Sequence, residues 1–227
     1  MSGRRFAIAI PALDAAATVP AVIRRALAVH AHVIVVDDGS TDGTGDAARA
    51  AGVSVLVHPE NFGKGRALKT AFDHLFGAGF DAVVTVDADG QHPPEETPRL
   101  IDAWRDGADL VLGTRDHLFA KMSAVRRASN GTSSWLISHV AGASLPDCQT
   151  GFRLYTRELI AAVGFPEARF EAESAVIVRA VRHGFRIIGI PIRLDEPDGR
   201  ATSHYRPVVD SMRIAGAVAR ARFEGRG

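Results

Sequence analysis

The chain has 227 residues, 46% of them hydrophobic and 23% charged, which is enough for one well-buried core. Its net charge of +1 excludes the broad basic field of a nucleic-acid-binding protein. Cys148 is the only cysteine, which rules out an intramolecular disulfide and any multi-cysteine zinc site and fits a reducing cytoplasm.

Nowhere do about 18 apolar residues run without charge, so no membrane span is encoded. The basic N-terminus precedes an apolar run at 6–10 that is far too short for a signal segment, and Pro11 ends it. The expectation is a soluble protein, or one that visits a membrane surface. Few aromatic residues other than Phe point to an aliphatic core.

In chain order, strands are predicted at 6–10, 33–36, 53–57, 82–86 and 110–112. Helices are predicted near 20–28, 46–50, 67–76 and 94–104. Continuous Val/Ile/Leu runs alternating with helix-period segments imply βαβ units in a mostly parallel sheet flanked by helices, an α/β class. The second half is less regular. A polar-interrupted helical stretch at 121–140 is followed by helices at 158–163 and 171–182, a strand at 187–194, a loop at 196–205 and a helix from 208. No repeat or linker interrupts this order, so a single domain is expected over 1–227. Its nucleotide-binding half would cover about 1–115 and its acceptor half about 116–227.

Ligands of such sheets gather at the carboxyl ends of the strands, where Asp37, Asp38, Asp87, Asp89 and Arg115 are expected. Asp87 and Asp89, spaced i, i+2 after a β-branched strand, are hard oxygen donors suited to a divalent cation on a diphosphate. The Asp38–Thr44 turn begins like a calcium loop, but Arg49 stands where the twelfth-position Glu belongs. Ser40, Thr41 or Asp42 is expected to cap the next helix, leaving one of Asp37 and Asp38 to accept from a nucleobase edge. Gly63-Lys64-Gly65 lacks the Walker A pattern. As a turn opening a helix, it is expected to aim N–H groups and Lys64 at an anion.

Taken in order, these motifs resemble glycosyltransferase family 2, in particular its dolichol-phosphate-mannose-synthase-like (polyprenyl-phosphate) branch. They run from Pro11 through Asp37-Asp38-Gly39-Ser40, Asn61…Gly63-Lys64-Gly65 and Asp87…Asp89…Gln91-His92-Pro93-Pro94-Glu95 to Asp147…Gly151-Phe152-Arg153-Leu154-Tyr155 and Phe170-Glu171-Ala172-Glu173. The resemblance spans about 6–210. It implies a GT-A fold, a GDP- or UDP-linked sugar donor, and Mg²⁺ or Mn²⁺. By position, Pro11, Leu13 and Asp38 would face the base, and Asp87 the ribose or the metal. Asp89 with Gln91 would hold the metal on the diphosphate, and His204 would meet the donor diphosphate or the metal. Arg153 would serve the acceptor phosphate, and Asp147 stands where an acidic catalytic residue is often found. The family's Pro-x-Tyr-Asn-Glu run reads Pro11-Ala12-Leu13-Asp14-Ala15 here, so an aromatic and a carboxylate are missing from the nucleotide pocket.

If the acceptor is a polyprenyl phosphate, its oxygen is already anionic and needs orientation, for which Arg126, Arg127 and Arg153 are the candidates. Attack from the face opposite the leaving group would invert the anomeric carbon. A hydroxyl acceptor, soluble or glycolipid, would instead need a general base, for which Asp147 is nominated. A protein that binds nucleotide-sugar without turnover is the third alternative. Residues 200–227 carry six Arg against Asp210 and Glu224, a basic segment compatible with peripheral contact at the inner face of a membrane.

Overall fold

A computed structural model describes residues 3–115, 137–142, 148–195 and 207–223. Its elements are β1 (Phe6–Ala12), α1 (Val19–Val29), β2 (Val33–Asp37), α2 (Thr44–Ala50), β3 (Ser54–Val57), α3 (Lys64–Gly77) and β4 (Ala82–Thr85). A 3-10 turn (Pro94–Glu96) then leads into α4 (Thr97–Arg105), β5 (Leu110–Thr114), β6 (Arg153–Thr156), α5 (Arg157–Val163), α6 (Glu171–Arg182), β7 (Ile187–Pro191) and α7 (Pro207–Phe223). The strands form a seven-stranded sheet in the order β3-β2-β1-β4-β6-β5-β7. All pairings are parallel except those of β6, which runs antiparallel to β4 and β5.

Side chains on successive strand residues point to opposite faces, and this alternation splits the core in two. Ala7, Ala9, Ile34 and Val36 pack with Leu68, Phe72 and Leu75 of α3 and with Val176 and Val178 of α6. Ile8, Ile10, Val33 and Val35 pack on the other face with Val22 and Ile23 of α1 and with Leu100 and Trp104 of α4. The first face is more aromatic than the composition suggests. Phe72 meets Tyr155 at 5.0 Å and Phe165 at 5.2 Å, both edge-on, and stacks on Phe76 at 5.7 Å.

Two differences from the sequence reading have simple causes. β1 runs through Pro11 rather than ending there. Ala9 accepts from Val86 on the β4 side, so Pro11, two residues on, faces the same side. The β1–β4 register ends at Ala9 and Thr85, so no sheet acceptor awaits the N–H that Pro11 lacks. β6 was not predicted as a strand, because four residues beginning with Arg153 show no apolar run; antiparallel pairing on both sides makes it a strand. Residues 137–141 of the expected 121–140 stretch are helical, and its remainder through 136 lies outside the described residues.

Replacing Phe72 by Ala should cost about 3–5 kcal/mol, since it empties the centre of a ring cluster. Urea denaturation measures this; a loss under about 1 kcal/mol would mean that the cluster collapses to fill the space.

Candidate active site

The carboxyl ends of β1, β2 and β4 and the first turn of α3 border a cleft of about 710 Å³. Pro11, Leu13, Asp38, Lys64, Asp87 and Asp89 line it, as do Arg169, Phe170 and Arg213 from outside the sheet.

Backbone and short polar side chains fix one wall. Ala15 N–H donates to Thr44 Oγ1 (2.7 Å), Ala16 N–H to Asp42 Oδ2 (2.9 Å) and Asp14 N–H to Ser40 Oγ (3.0 Å). Asp42 also accepts the N–H of Thr44 at the start of α2 (3.0 Å), so it satisfies the helix end from one position outside the cap, which is Gly43. Leu13 is thereby held at the cleft by hydrogen bonds on its downstream neighbours.

Asp38 is more committed than the sequence suggests. Its carboxylate accepts from Phe62 N–H (3.1 Å) and Gly63 N–H (2.7 Å), and Oδ1 lies 2.7 Å from His58 Nδ1. With that proton on Nδ1, His58 Nε2 accepts from the Thr70 hydroxyl at 2.9 Å. The N–H groups expected to meet an external anion are therefore shared with an internal one: Phe62 and Gly63 are already bound to Asp38.

Lys64, at the first position of α3, points its ammonium at two carboxylates. Nζ lies 2.7 Å from Asp87 Oδ1 and 3.0 Å from Glu173 Oε2. Burial disfavours the charged lysine, but these two neighbours outweigh it and hold its pKa above the ordinary value. Burial likewise opposes the Asp87 charge, yet Lys64, His92 and Arg115 bring Asp87 down to about 2. Asp89 goes the other way, raised by burial and then by the Asp87 charge. Its Oδ1 accepts from Gln91 N–H at 2.9 Å, and Gln91 C=O accepts from Asp195 N–H at 3.0 Å. His92 is buried with Nδ1 3.5 Å from Asp87 Oδ2 and its ring parallel to Phe152. The main chain at Gly151 passes so close to Asp87 that a Cβ there would lie 2.1 Å from Oδ2 and force the carboxylate from its place.

Arg153 does not reach the cleft, which corrects its nomination for the acceptor phosphate. It is 1% exposed, and its guanidinium donates to the carbonyls of Thr150 (2.6 Å), Glu173 (2.5 Å) and Cys148 (2.9 Å). Buried and with each of its three nitrogens on a main-chain carbonyl, this guanidinium ties β6 to α6 and does not face the cleft. Arg126, Arg127, Asp147 and His204 lie outside the described residues. Glu173, Arg169 and Arg213 are among the cleft-associated residues that carried no role in the sequence reading. For Glu173 a signal was present in the Phe170–Glu173 motif; the other two are ordinary surface arginines in the sequence.

Among the described residues, no group of three or more His, Cys, Asp or Glu is arranged to hold a metal ion. The donor set nevertheless fits a cation shared with a ligand. Two like-charged carboxylates stand together, Asp89 is under repulsion from Asp87, and hard cations of the Mg²⁺ type are commonly held by one or two carboxylates plus substrate phosphates.

This mostly parallel sheet, with its helical layers and acidic strand ends, is a GT-A fold. The chain belongs to glycosyl transferase family 2, whose model matches residues 7–164. Over 213 residues it is 30% identical to polyprenol monophosphomannose synthase of Mycolicibacterium smegmatis, covering 85% of this chain and 78% of that one. Over 175 residues it is 34% identical to undecaprenyl-phosphate mannosyltransferase of Micrococcus luteus, covering 72% of each. The similarity is thus to the polyprenyl-phosphate branch. Glucosyl-3-phosphoglycerate synthase from Mycobacterium tuberculosis, crystallised with Mn²⁺, UDP-glucose and phosphoglyceric acid, shares the fold with a TM-score of 0.75. It is 21% identical over 97% of this chain and 80% of that one.

Because the Asp87 pKa is depressed from 3.8 to about 2, its contribution to stability is present above 3.8 and lost as pH falls through about 2. Lys64→Met removes the strongest cationic influence on that carboxylate. The acid limb of the thermal midpoint should move to higher pH, and stability at pH 7 should drop by about 3 kcal/mol. An unmoved acid limb would show that Lys64 does not hold Asp87.

Proposed function

We propose that the protein is an inverting, metal-dependent hexosyltransferase that moves a sugar from a GDP- or UDP-linked donor to polyprenyl phosphate. The observation that carries this reading is the convergence of the Asp87 and Asp89 carboxylates and the Lys64 ammonium on one cleft at the carboxyl edge of the sheet. Family membership and the names of its relatives support it. The chain acts as one unit, the half through about 115 serving the donor and the rest the acceptor.

In this reading Pro11 and Leu13 flank the base, and Asp38 shapes the pocket through the 62–63 turn while offering its edge to the base. Asp87 faces the ribose or the metal. Asp89, with Gln91, holds Mg²⁺ or Mn²⁺, which when bound neutralises charge on the departing nucleoside diphosphate. Lys64 supplies a fixed positive charge to the same group and needs no proton transfer to do so. The acceptor phosphate is already anionic, so arginines need only orient it. Arg169 and Arg213 line the cleft and take the place of Arg153 in that task, which Arg126 and Arg127 are also assigned. His204 is assigned to the diphosphate, and Asp147 stays the nominee for a base should the acceptor be a hydroxyl.

A lipid acceptor requires access to a bilayer. No described helix is long and apolar enough to cross one; in this reading contact is peripheral, on the cytoplasmic face. α7 supports this: Met212 is 72% and Phe223 86% exposed, beside exposed Arg213, Arg220 and Arg222, while Asp210 is buried. Apolar anchors flanked by arginines suit an anionic surface, and Arg213 reaches from that face into the cleft wall.

Asp89→Asn should abolish Mn²⁺-dependent transfer of labelled sugar into an organic-extractable product. It should also raise the thermal midpoint in metal-free buffer by a few degrees, because it relieves the repulsion from Asp87. Retained transfer would remove Asp89 from the metal site. Separately, Met212→Asp with Phe223→Asp should weaken binding to phosphatidylglycerol vesicles by at least about tenfold without loss of the fold; equal binding would refute the α7 contact.

A further inference from the structure

Glu173 is buried on the first turn of α6, far in sequence from the acidic strand ends, and it is the second carboxylate on the Lys64 ammonium. Its two oxygens face different cations. Oε2 lies 3.0 Å from Lys64 Nζ, and Oε1 lies 3.8 Å from Arg153 Nε. The Glu173 carbonyl also accepts from Arg153, which is itself pinned to the carbonyls of Cys148 and Thr150. Glu173 thus stands in front of a buried, multiply bonded guanidinium, with Oε1 beyond hydrogen-bond reach of it.

The segment before α6 is fitted just as tightly to the turn that carries Lys64. Arg66 N–H donates to Ala168 C=O at 2.9 Å. A Cβ on Gly63 would lie 2.6 Å from that same carbonyl oxygen, and one on Gly65 would lie 2.5 Å from Glu167 C=O. Such close approach fixes where the Lys64 backbone sits relative to Glu173, and leaves the long lysine arm as the variable part. Lysine is a flexible stem with a point charge. With Asp87 alone as partner, the ammonium would keep one fixed neighbour, at 2.7 Å, and lose the second, at 3.0 Å, that defines its direction.

We propose that Glu173 is a positioning residue of the donor site: it shares the Lys64 ammonium with Asp87 and so holds that charge where the donor's diphosphate takes it up. This rests on the reading of Lys64 as a diphosphate contact. Glu173 touches no substrate itself; it acts through Lys64, and Arg153 acts through Glu173. Simple electrostatics makes the opposite prediction, because removing a carboxylate from beside an anion site should strengthen anion binding. The two accounts therefore differ in sign.

Calorimetric titration of the full chain with GDP and with UDP, in Mn²⁺ buffer, separates them. Glu173→Gln removes the charge, and Glu173→Asp keeps the charge but withdraws it by one methylene; the second variant also covers the first should that one fail to fold. Positioning predicts about tenfold weaker binding of the preferred nucleotide in both variants. The donor KM should rise by a similar factor with the acceptor KM unchanged, and Glu173→Gln should cause no further loss in a Lys64→Met background. A Glu173→Asp chain that binds like the parent, a Glu173→Gln chain that binds more tightly, or additive losses with Lys64→Met would each overturn the role. Should the parent chain bind neither nucleotide, the donor reading itself falls, and the role of Glu173 with it.

Discussion

The ammonium of Lys64 between Asp87 and Glu173 is the contact on which the rest of this site depends. Two carboxylates from different parts of the chain, one past the end of a central strand and one on a late helix, share a single positive charge. Removing Lys64 leaves two mostly buried carboxylates without their shared cation, which costs more than the cluster gains by forming. The glycines at 63, 65 and 151 follow from that arrangement, since each lets main chain approach where a side chain would collide. So does the inward turn of Arg153, which ties β6 to α6 behind Glu173.

Asp89 shows the reverse of this economy. It stands near Asp87, its ionised form is disfavoured by burial and by that neighbour, and among its contacts the hydrogen bond from Gln91 favours the charge. A fold shaped for stability alone would not place a second carboxylate there. Repulsion of this kind is what a bound cation relieves, so the strain marks the place where a ligand is expected to contribute.

The walls around these charges are built from ordinary means. Short side chains at Ser40, Asp42 and Thr44 staple the end of β1 to the end of β2, and Asp38 closes the 62–63 turn. These bonds fix the main chain around Leu13 and Ala15. The pocket therefore keeps a defined shape with smaller side chains facing it. On the outer side, α7 presents Arg213 both to the cleft and to its own exposed face, so one element links the site to the surface.

The sequence by itself determined the parallel strands of the sheet and its acidic edge. Parallel strands buried on both faces leave unbroken Val and Ile runs, and the topology of alternating strands and helices brings Asp38, Asp87 and Asp89 to one edge without knowledge of any contact. What it could not determine was which charged residues face the cleft and which face one another. Arg153 reads as a substrate-binding arginine because its neighbours form a familiar motif, yet its β6 position between two strands turns it toward carbonyls in the core. Glu173 reads as one more helix-start acid, and Arg169 and Arg213 as surface charges. Only the packing of α6 against α3, and of α7 against α6, decided that Glu173 meets Lys64 and that the two arginines line the cleft. The reason is physical: strand burial is written in local periodicity, whereas the partner of a long charged side chain depends on where distant backbone segments come to lie.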